Sequence, residues 1–287
     1  MGSAGIWLRQ ARRIKGGVPP QAGHARSGPK LTGVPEDVRA RFAPVAANYA
    51  KAAFHTSPER LREVLELAQP QPTDLALDVA TGTGNTALAL APFVARVVGL
   101  DLTREMLVHA RRLTGERSIA NAEWVLGDAS RLPFADDSFD LYTVRAAPHH
   151  FTDFDGFLSE ALRVLKPGGS AAFVDCAPPP AAREVMHEVE VRRDPSHVRS
   201  LTVTEWTERL EQAGFVVEVA TSRELDWDFE DWMGNMAVEP ALAADLARLI
   251  ESAEGRARSQ LHPERRDGKL WHAYWHCLIR ARKPVDG

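Results

Sequence analysis

At 287 residues with 44% hydrophobic side chains, the chain can bury a substantial core, and it holds no apolar run long enough to span a bilayer. Its two cysteines, Cys176 and Cys277, exclude a disulfide framework and point to a reducing, cytoplasmic setting. Residues 1–30 carry basic side chains and no acid, so the remainder of a chain with net charge -4 is acidic; this weighs against nucleic acid and favours a small-molecule substrate.

Residues 1–35, rich in Gly, Pro and Arg, read as a disordered basic tail, with Ile6–Lys15 as a short amphipathic stretch of the kind found in organellar presequences. One domain is expected over residues 36–287. Val38, Phe42, Val45 and Tyr49 follow helical spacing, kinked at Pro44. Thr56 and Glu59 form a potential capping box for a second helix, lined by Leu61, Val64, Leu65 and Ala68 and ended by Pro70 and Pro72. A strand at Leu75–Val79 runs through a glycine turn into a helix from about Thr86, and a second strand, Val97–Leu100, closes on Asp101. Thr103 is placed to cap a helix carrying Met106, Leu107, Ala110 and Leu113, which Gly115 should stop.

Strands at Ala122–Leu126 and Asp140–Val144 follow, then a helix with the stripe Phe157, Leu158, Ala161, Leu162 and Leu165, a turn at Lys166–Gly169, and a strand at Ser170–Val174. Such alternation calls for a doubly wound, mostly parallel sheet with ligands at the carboxyl ends of the strands. Beyond Pro180 the pattern changes. A charged helical segment falls within residues 181–200, Thr202 and Glu205 cap another helix, and tryptophan-rich helices fill residues 226–262 between strands at Phe215–Ala220 and Trp271–Arg280.

The chemistry concentrates at the strand ends. Asp78, Gly82 and Gly84 shape a turn that offers bare backbone and a helix start to a nucleotide-like ligand, and Asp101 can accept both hydroxyl protons of a ribose. That much is shared with NAD-dependent oxidoreductases. Two further motifs, GDASRLPFADDSFDLY at Gly127–Tyr142 and LKPGG at Leu165–Gly169, decide between them. With these in order, Phe42 to about Phe215 resembles the class I S-adenosylmethionine-dependent methyltransferases, in the group similar to the ubiquinone and menaquinone C-methyltransferases.

The resemblance implies a Rossmann-like sheet of seven strands, one antiparallel and built from the last two strand candidates, with S-adenosylmethionine as cofactor. It places Asp78, Gly82 and Gly84 under the methionine part, Asp101 on the ribose, Asp128 and the Ala129 amide at the adenine edge, and Leu102 and Met106 near the adenosine; spacing alone makes Met106 a core residue. Arg145 suits the methionine carboxylate or a supporting salt bridge. His149 and His150 stand where the acceptor would meet the cofactor. His149 suits a general base, and equally a helix cap or a backbone hydrogen bond. Tyr49, His55, Arg193, His197 and Arg199 are further acceptor candidates, Arg192–Ser200 reading otherwise as a solvated loop. A quinone-like carbon or a phenolic oxygen is the expected acceptor atom. No metal is expected, because Cys176 and Cys277 lack paired spacing and His272 and His276 lack an intervening Glu ligand pattern. A member of the fold that binds the cofactor without methylating is the other alternative.

Overall fold

A computed structural model describes residues 56–285. The helix expected around Tyr49, the basic tail and His55 lie outside the described residues. The first described helix, α1 (Pro58–Ala68), starts behind Ser57, whose hydroxyl accepts from the Arg60 N–H at 3.5 Å. The cap is therefore Ser57 and not Thr56, because Pro58 occupies the first helical position, where its fixed φ suits the helix and its missing N–H costs nothing.

The expected alternation follows: β1 (Leu75–Val79), α2 (Asn85–Leu90), β2 (Arg96–Asp101), α3 (Arg104–Glu116), β3 (Ala122–Leu126), β4 (Phe139–Arg145), α4 (Phe154–Val164) and β5 (Leu165–Cys176). Gly115 does not stop α3, which continues to Glu116, and the Thr103 side chain makes no capping bond. The KPGG turn lies inside β5, where Gly168 at φ +77° and a register shift opposite Phe139 and Leu141 absorb it. After it come α5 (Arg183–Arg193), α6 (Val203–Gln212), β6 (Val216–Asp228), α7 (Phe229–Asn235), α8 (Pro240–Glu251), α9 (Gly255–Leu261), β7 (Glu264–Arg266) and β8 (Lys269–Arg282).

The strands lie in the order β3-β2-β1-β4-β5-β8-β6, with β8 antiparallel to both neighbours. This is the expected mostly parallel sheet of seven, extended by β7, which folds back on β8 through Asp267 and Gly268, both at positive φ as a tight hairpin turn requires. β6 runs to Asp228, well past Ala220, so the helical region begins at Phe229 rather than Asp226. As an edge strand exposed along most of its length it carries polar residues where a buried strand would be apolar, which hides it from an apolar-run reading.

Both faces of the sheet are covered, as its near-continuous apolar central strands demand. One core packs Tyr142, Phe157, Phe173 and Trp206 between β4, β5 and helices α4 and α6. A second joins α5, α7, α8 and α9 to β8 through Met186, Phe229, Trp232, Leu246 and Tyr274. Each such side chain contributes roughly 1.5–3 kcal/mol on burial. The second core hangs a helical lobe on β8, while a third packs α1 and α2 against β1, β2 and β4 through Ala68, Leu90, Val97 and Leu141.

Candidate active site

The strand order reverses between β1 and β4, where a doubly wound sheet opens a crevice at its carboxyl end. On one side of that point lies the glycine turn. Asp78, buried at the end of β1, accepts from Thr81 Oγ1 at 2.5 Å and from Thr143 Oγ1 of β4 at 2.7 Å, tying the turn to both strands. Burial pushes its carboxyl up to about 6, against these hydroxyls and Arg145. Asp101, one strand over, accepts from the Gly82 N–H at 2.7 Å and the Thr103 N–H at 2.8 Å. The Thr103 hydroxyl and the Leu102 N–H also act on this carboxylate. Burial raises this carboxyl as well, opposed chiefly by those amides.

The two glycines do different work. A Cβ on Gly84 would meet the Trp124 ring at 2.5 Å and Ala110 Cβ at 3.1 Å, so this glycine admits close packing beneath the turn. Among the described residues, a Cβ on Gly82 would meet nothing within 4 Å. A backbone face free of side chain beside a carboxylate suits a nucleoside-bearing ligand. Ala80 also stands in the left-handed region, at φ +51°, a position the sequence reading did not single out.

Along the same rim, Asp128 binds the Ser130 N–H and hydroxyl through Oδ1, each at 2.9 Å, and so shapes the loop after β3, with Ala129 buried behind it. Met106 is buried in α3, in keeping with its core spacing, and Leu102 is half-buried. Arg145 Nε donates to Thr86 Oγ1 at 3.1 Å, bridging β4 to α2. Its burial lowers the guanidinium to about 10, against the favourable charge of Asp78.

On the other side of the switch point β4 exits through Ala146, at φ +53° and hydrogen-bonded to Val174 O of β5, into a 3-10 turn at Pro148–His150. This turn delivers His149 to the end of β5, where its Nδ1 lies 2.6 Å from Oδ1 of Asp175. Asp175 is 2% exposed and His149 keeps 16% of its side chain open. His150 packs at 4.0 Å from the His149 ring, and His197 stacks on it at 5.0 Å. His187 adds a fourth imidazole, sharing the Ser200 hydroxyl with His197. Val198 N–H donates to the His149 carbonyl, fastening the 194–200 loop over the turn.

That loop is not solvated: Asp194, Ser196, His197 and Ser200 are all buried. Arg193 is paired with Glu190 at 3.1 Å and lies 4.5 Å over the Trp232 ring, and Arg199 lies 4.7 Å over Phe154 and donates to Thr152 O. Arg193 is therefore occupied within the lobe, and Arg199 at the start of α4. Glu190 also accepts from the Tyr274 hydroxyl at 2.6 Å. Asp175, Glu190 and Tyr274 were not among the sequence candidates. His149, Asp175 and Cys176 bring ligand-type atoms within 4.8 Å of one another, although burial and the Asp175 charge push the Cys176 thiol well up, away from the thiolate that metals take. His272 and His276 face the aromatic lobe, His272 against Trp232 and His276 against Tyr274.

The fold and this rim have close counterparts among known proteins. The family described as "Methyltransferase domain" matches residues 77–173. A crystal structure of a putative methyltransferase from Bacillus halodurans superposes with a TM-score of 0.75 at 36% identity, covering 79% of this chain and 99% of that one. The chain belongs to the class I S-adenosylmethionine-dependent methyltransferases. The uncharacterized methyltransferase YcgJ of Bacillus subtilis is 36% identical over 167 residues, 58% of this chain and 66% of that protein. A ubiquinone/menaquinone biosynthesis C-methyltransferase, UbiE of Dinoroseobacter shibae, is 44% identical over 110 residues, which span 37% of this chain and 44% of UbiE. An NAD-dependent oxidoreductase is thereby set aside. No helix among the described residues is long and apolar enough to cross a membrane.

Proposed function

We propose that this methyltransferase carries a methyl group from S-adenosylmethionine to a hydroxylated or quinone-like ring compound. The observation that carries the reading is the Gly82 face, open among the described residues and tied through its own N–H to Asp101, at the switch point of a class I methyltransferase sheet. Gly82 and Gly84 form the floor under the methionine part and Asp78 locks that floor to β4. Asp101, at the end of β2, takes the ribose hydroxyls. Asp128, the Ala129 amide and Leu102 surround the adenine, with Met106 behind them, and Arg145 faces the methionine carboxylate.

The cofactor supplies an electrophilic methyl carbon when bound. The chain's task is to align the acceptor with it and receive the acceptor's proton; alignment alone is worth roughly 7–11 kcal/mol in well-oriented reactions. His149 and His150, one strand beyond Arg145, stand on the acceptor side of the rim, with the Trp227, Trp232 and Tyr274 rings lining the lobe beyond. The quinone-like acceptor is supported by the likeness to UbiE, named a ubiquinone/menaquinone biosynthesis C-methyltransferase.

Thermal unfolding with added ligands tests the donor: S-adenosylhomocysteine should raise Tm, by about 2.7 kcal/mol of stability at 100 times its Kd, and NAD should not. Incubation with S-adenosylmethionine and a panel of phenols, quinols and amines, read by mass, tests the acceptor. A gain of 14 mass units on an amine alone would refute the ring-hydroxyl assignment.

A further inference from the structure

Three imidazoles, His149, His150 and the buried His197, meet over the end of β5, and the structure distinguishes one of them. His149 is in direct contact with a carboxylate, Asp175, at 2.6 Å. His150 is linked to Asp194 through a hydroxyl: Ser196 Oγ donates to Asp194 Oδ1 at 2.7 Å and stands 3.1 Å from His150 Nδ1. Since that hydroxyl has one proton and gives it to Asp194, it accepts from an Nδ1–H of His150. His197 is held by the Ser200 hydroxyl through Nε2, and its Nδ1 is buried without a partner among the described residues.

We infer that Asp175 and His149 form a catalytic dyad that accepts the proton of an acceptor hydroxyl, with Asp175 as the positioning residue. The inference rests on the methyl-transfer reading above. Asp175 holds the Nδ1–H tautomer and points Nε2 away from β5, toward the acceptor. The hydroxyl proton passes to Nε2 as an oxygen lone pair forms the new C–O bond; the methyl's bond to sulfur breaks and its electron pair leaves with the sulfur, giving the neutral thioether. The imidazolium left behind is balanced by the Asp175 carboxylate and later returns its proton to solvent. The acceptor class is accordingly a phenol or enol that enters with its proton on. A thiolate or a free amine would not need the dyad.

The surroundings agree with the assignment. The groups facing His149 are Asp175 from β5, Glu190 from α5, Asp194 and His197 from the loop, and His150 beside it, with His187 and Arg193 of α5 acting on His197. Burial opposes charge on His149, but Asp175, Glu190 and Asp194 outweigh it and the group is raised above its ordinary value. Burial and the neighbouring imidazoles drive His150 down to about 3 and His197 far down, so these two stay neutral and leave the proton to His149.

The test begins without cofactor or acceptor. In imidazole NMR of the free protein, His149 should titrate above 6.5, the ordinary histidine value, and Asp175→Asn should move it down by about one unit or more. In assays with whichever phenol the mass screen identifies, Asp175→Asn should lower kcat by roughly ten- to a hundredfold and shift the acid limb of the kcat profile to lower pH, since a less basic imidazole stays neutral further into acid. Asp175→Glu should restore part of the rate and of the shift. Unchanged Tm gain with S-adenosylhomocysteine in these variants keeps the methyltransferase reading separate from the dyad. An unshifted His149 titration, or a lower rate with an unmoved acid limb, overturns the dyad and leaves Asp175 structural. Cys176→Ser should change neither readout; a rate that depends on Cys176 and returns with added zinc would overturn the dyad in favour of a metal centre.

Discussion

The two halves of the rim solve different problems with different parts. From β3 to β4 the polar groups are backbone amides, short hydroxyls and carboxylates that hold one another within the turn and its adjoining strands: Thr81 on Asp78, Gly82 and Thr103 on Asp101, Ser130 on Asp128. From β5 to β6 they are imidazoles, a tyrosine and buried acids brought together from distant segments, as in His149 with Asp175 and Tyr274 with Glu190. The first half presents fixed dipoles and carboxylates. The second concentrates titratable side chains, and in the proposed function it faces the acceptor.

The sharpest way to break this contrast is at His149. His149→Gln should cut turnover by about 10²–10⁴-fold while leaving the affinity for S-adenosylhomocysteine unchanged, measured by steady-state assay and isothermal titration. Equal losses in both would place His149 on the cofactor side.

Next in size is Gly84→Ala. The new methyl would overlap Trp124 from a backbone at φ +85°, so overpacking and strain should together cost about 2–4 kcal/mol of stability, read by denaturant unfolding. Asp101→Ala follows, with cofactor binding weakened by about 1.5–3 kcal/mol through lost charged hydrogen bonds. Because the Gly82 and Thr103 amides also lose their acceptor, its Tm should fall even without ligand, whereas that of His149→Gln should hardly move.

Acid sensitivity separates the halves again. His150, at about 3, His272, at about 4, and His197, lower still, are neutral in the fold and protonate near 6.5 when unfolded. The unfolded chain therefore binds more protons below pH 6.5, and these three groups make stability fall with pH there, by on the order of 1 kcal/mol each per pH unit. Asp78 works the other way: with its folded value at about 6, it keeps a proton that the unfolded chain sheds between pH 6 and 3.8, adding stability as pH falls. His149, raised in the fold, opposes the loss as well. A net drop in Tm from pH 7 to 5 is expected. His197→Asn should flatten it, and an unflattened slope would show the imidazoles to be hydrated.

This difference between the halves also explains what was legible in the chain. Asp78, Gly82, Gly84, Asp101 and Asp128 sit at strand ends within one local pattern, and the order of strands and helices around them could be read directly. Asp175 could not be singled out, because it is the next-to-last residue of an otherwise apolar strand and acquires its role only when the turn after β4 brings His149 against it. Arg193 and Arg199 looked like ligand groups because sequence does not show that Glu190, Trp232 and Phe154 occupy them. The continuation of β6 past Ala220 and the Asp267–Gly268 hairpin were hidden by polarity and by shortness.

The smallest expected effect probes the cofactor side at the one loop position that a glycine does not occupy although the backbone suits one. Ala80 adopts φ +51° between Asp78 and Gly82 and packs partly against the main core. The left-handed region costs an L-residue roughly 1–2 kcal/mol, and Ala80→Gly would remove that strain. Against this stand the greater freedom of glycine in the unfolded chain, about 0.4–1 kcal/mol, and the lost methyl contact of a half-buried side chain. The balance leaves a gain of no more than about 0.5–1 kcal/mol, small enough to need paired denaturant titrations. If the loop is already held in its ligand-ready shape by Asp78 and Asp101, the same variant should bind S-adenosylhomocysteine as tightly as the parent. A loss of affinity alongside the gain in stability would mean that the Ala80 methyl, and not the two carboxylates alone, keeps the turn in register.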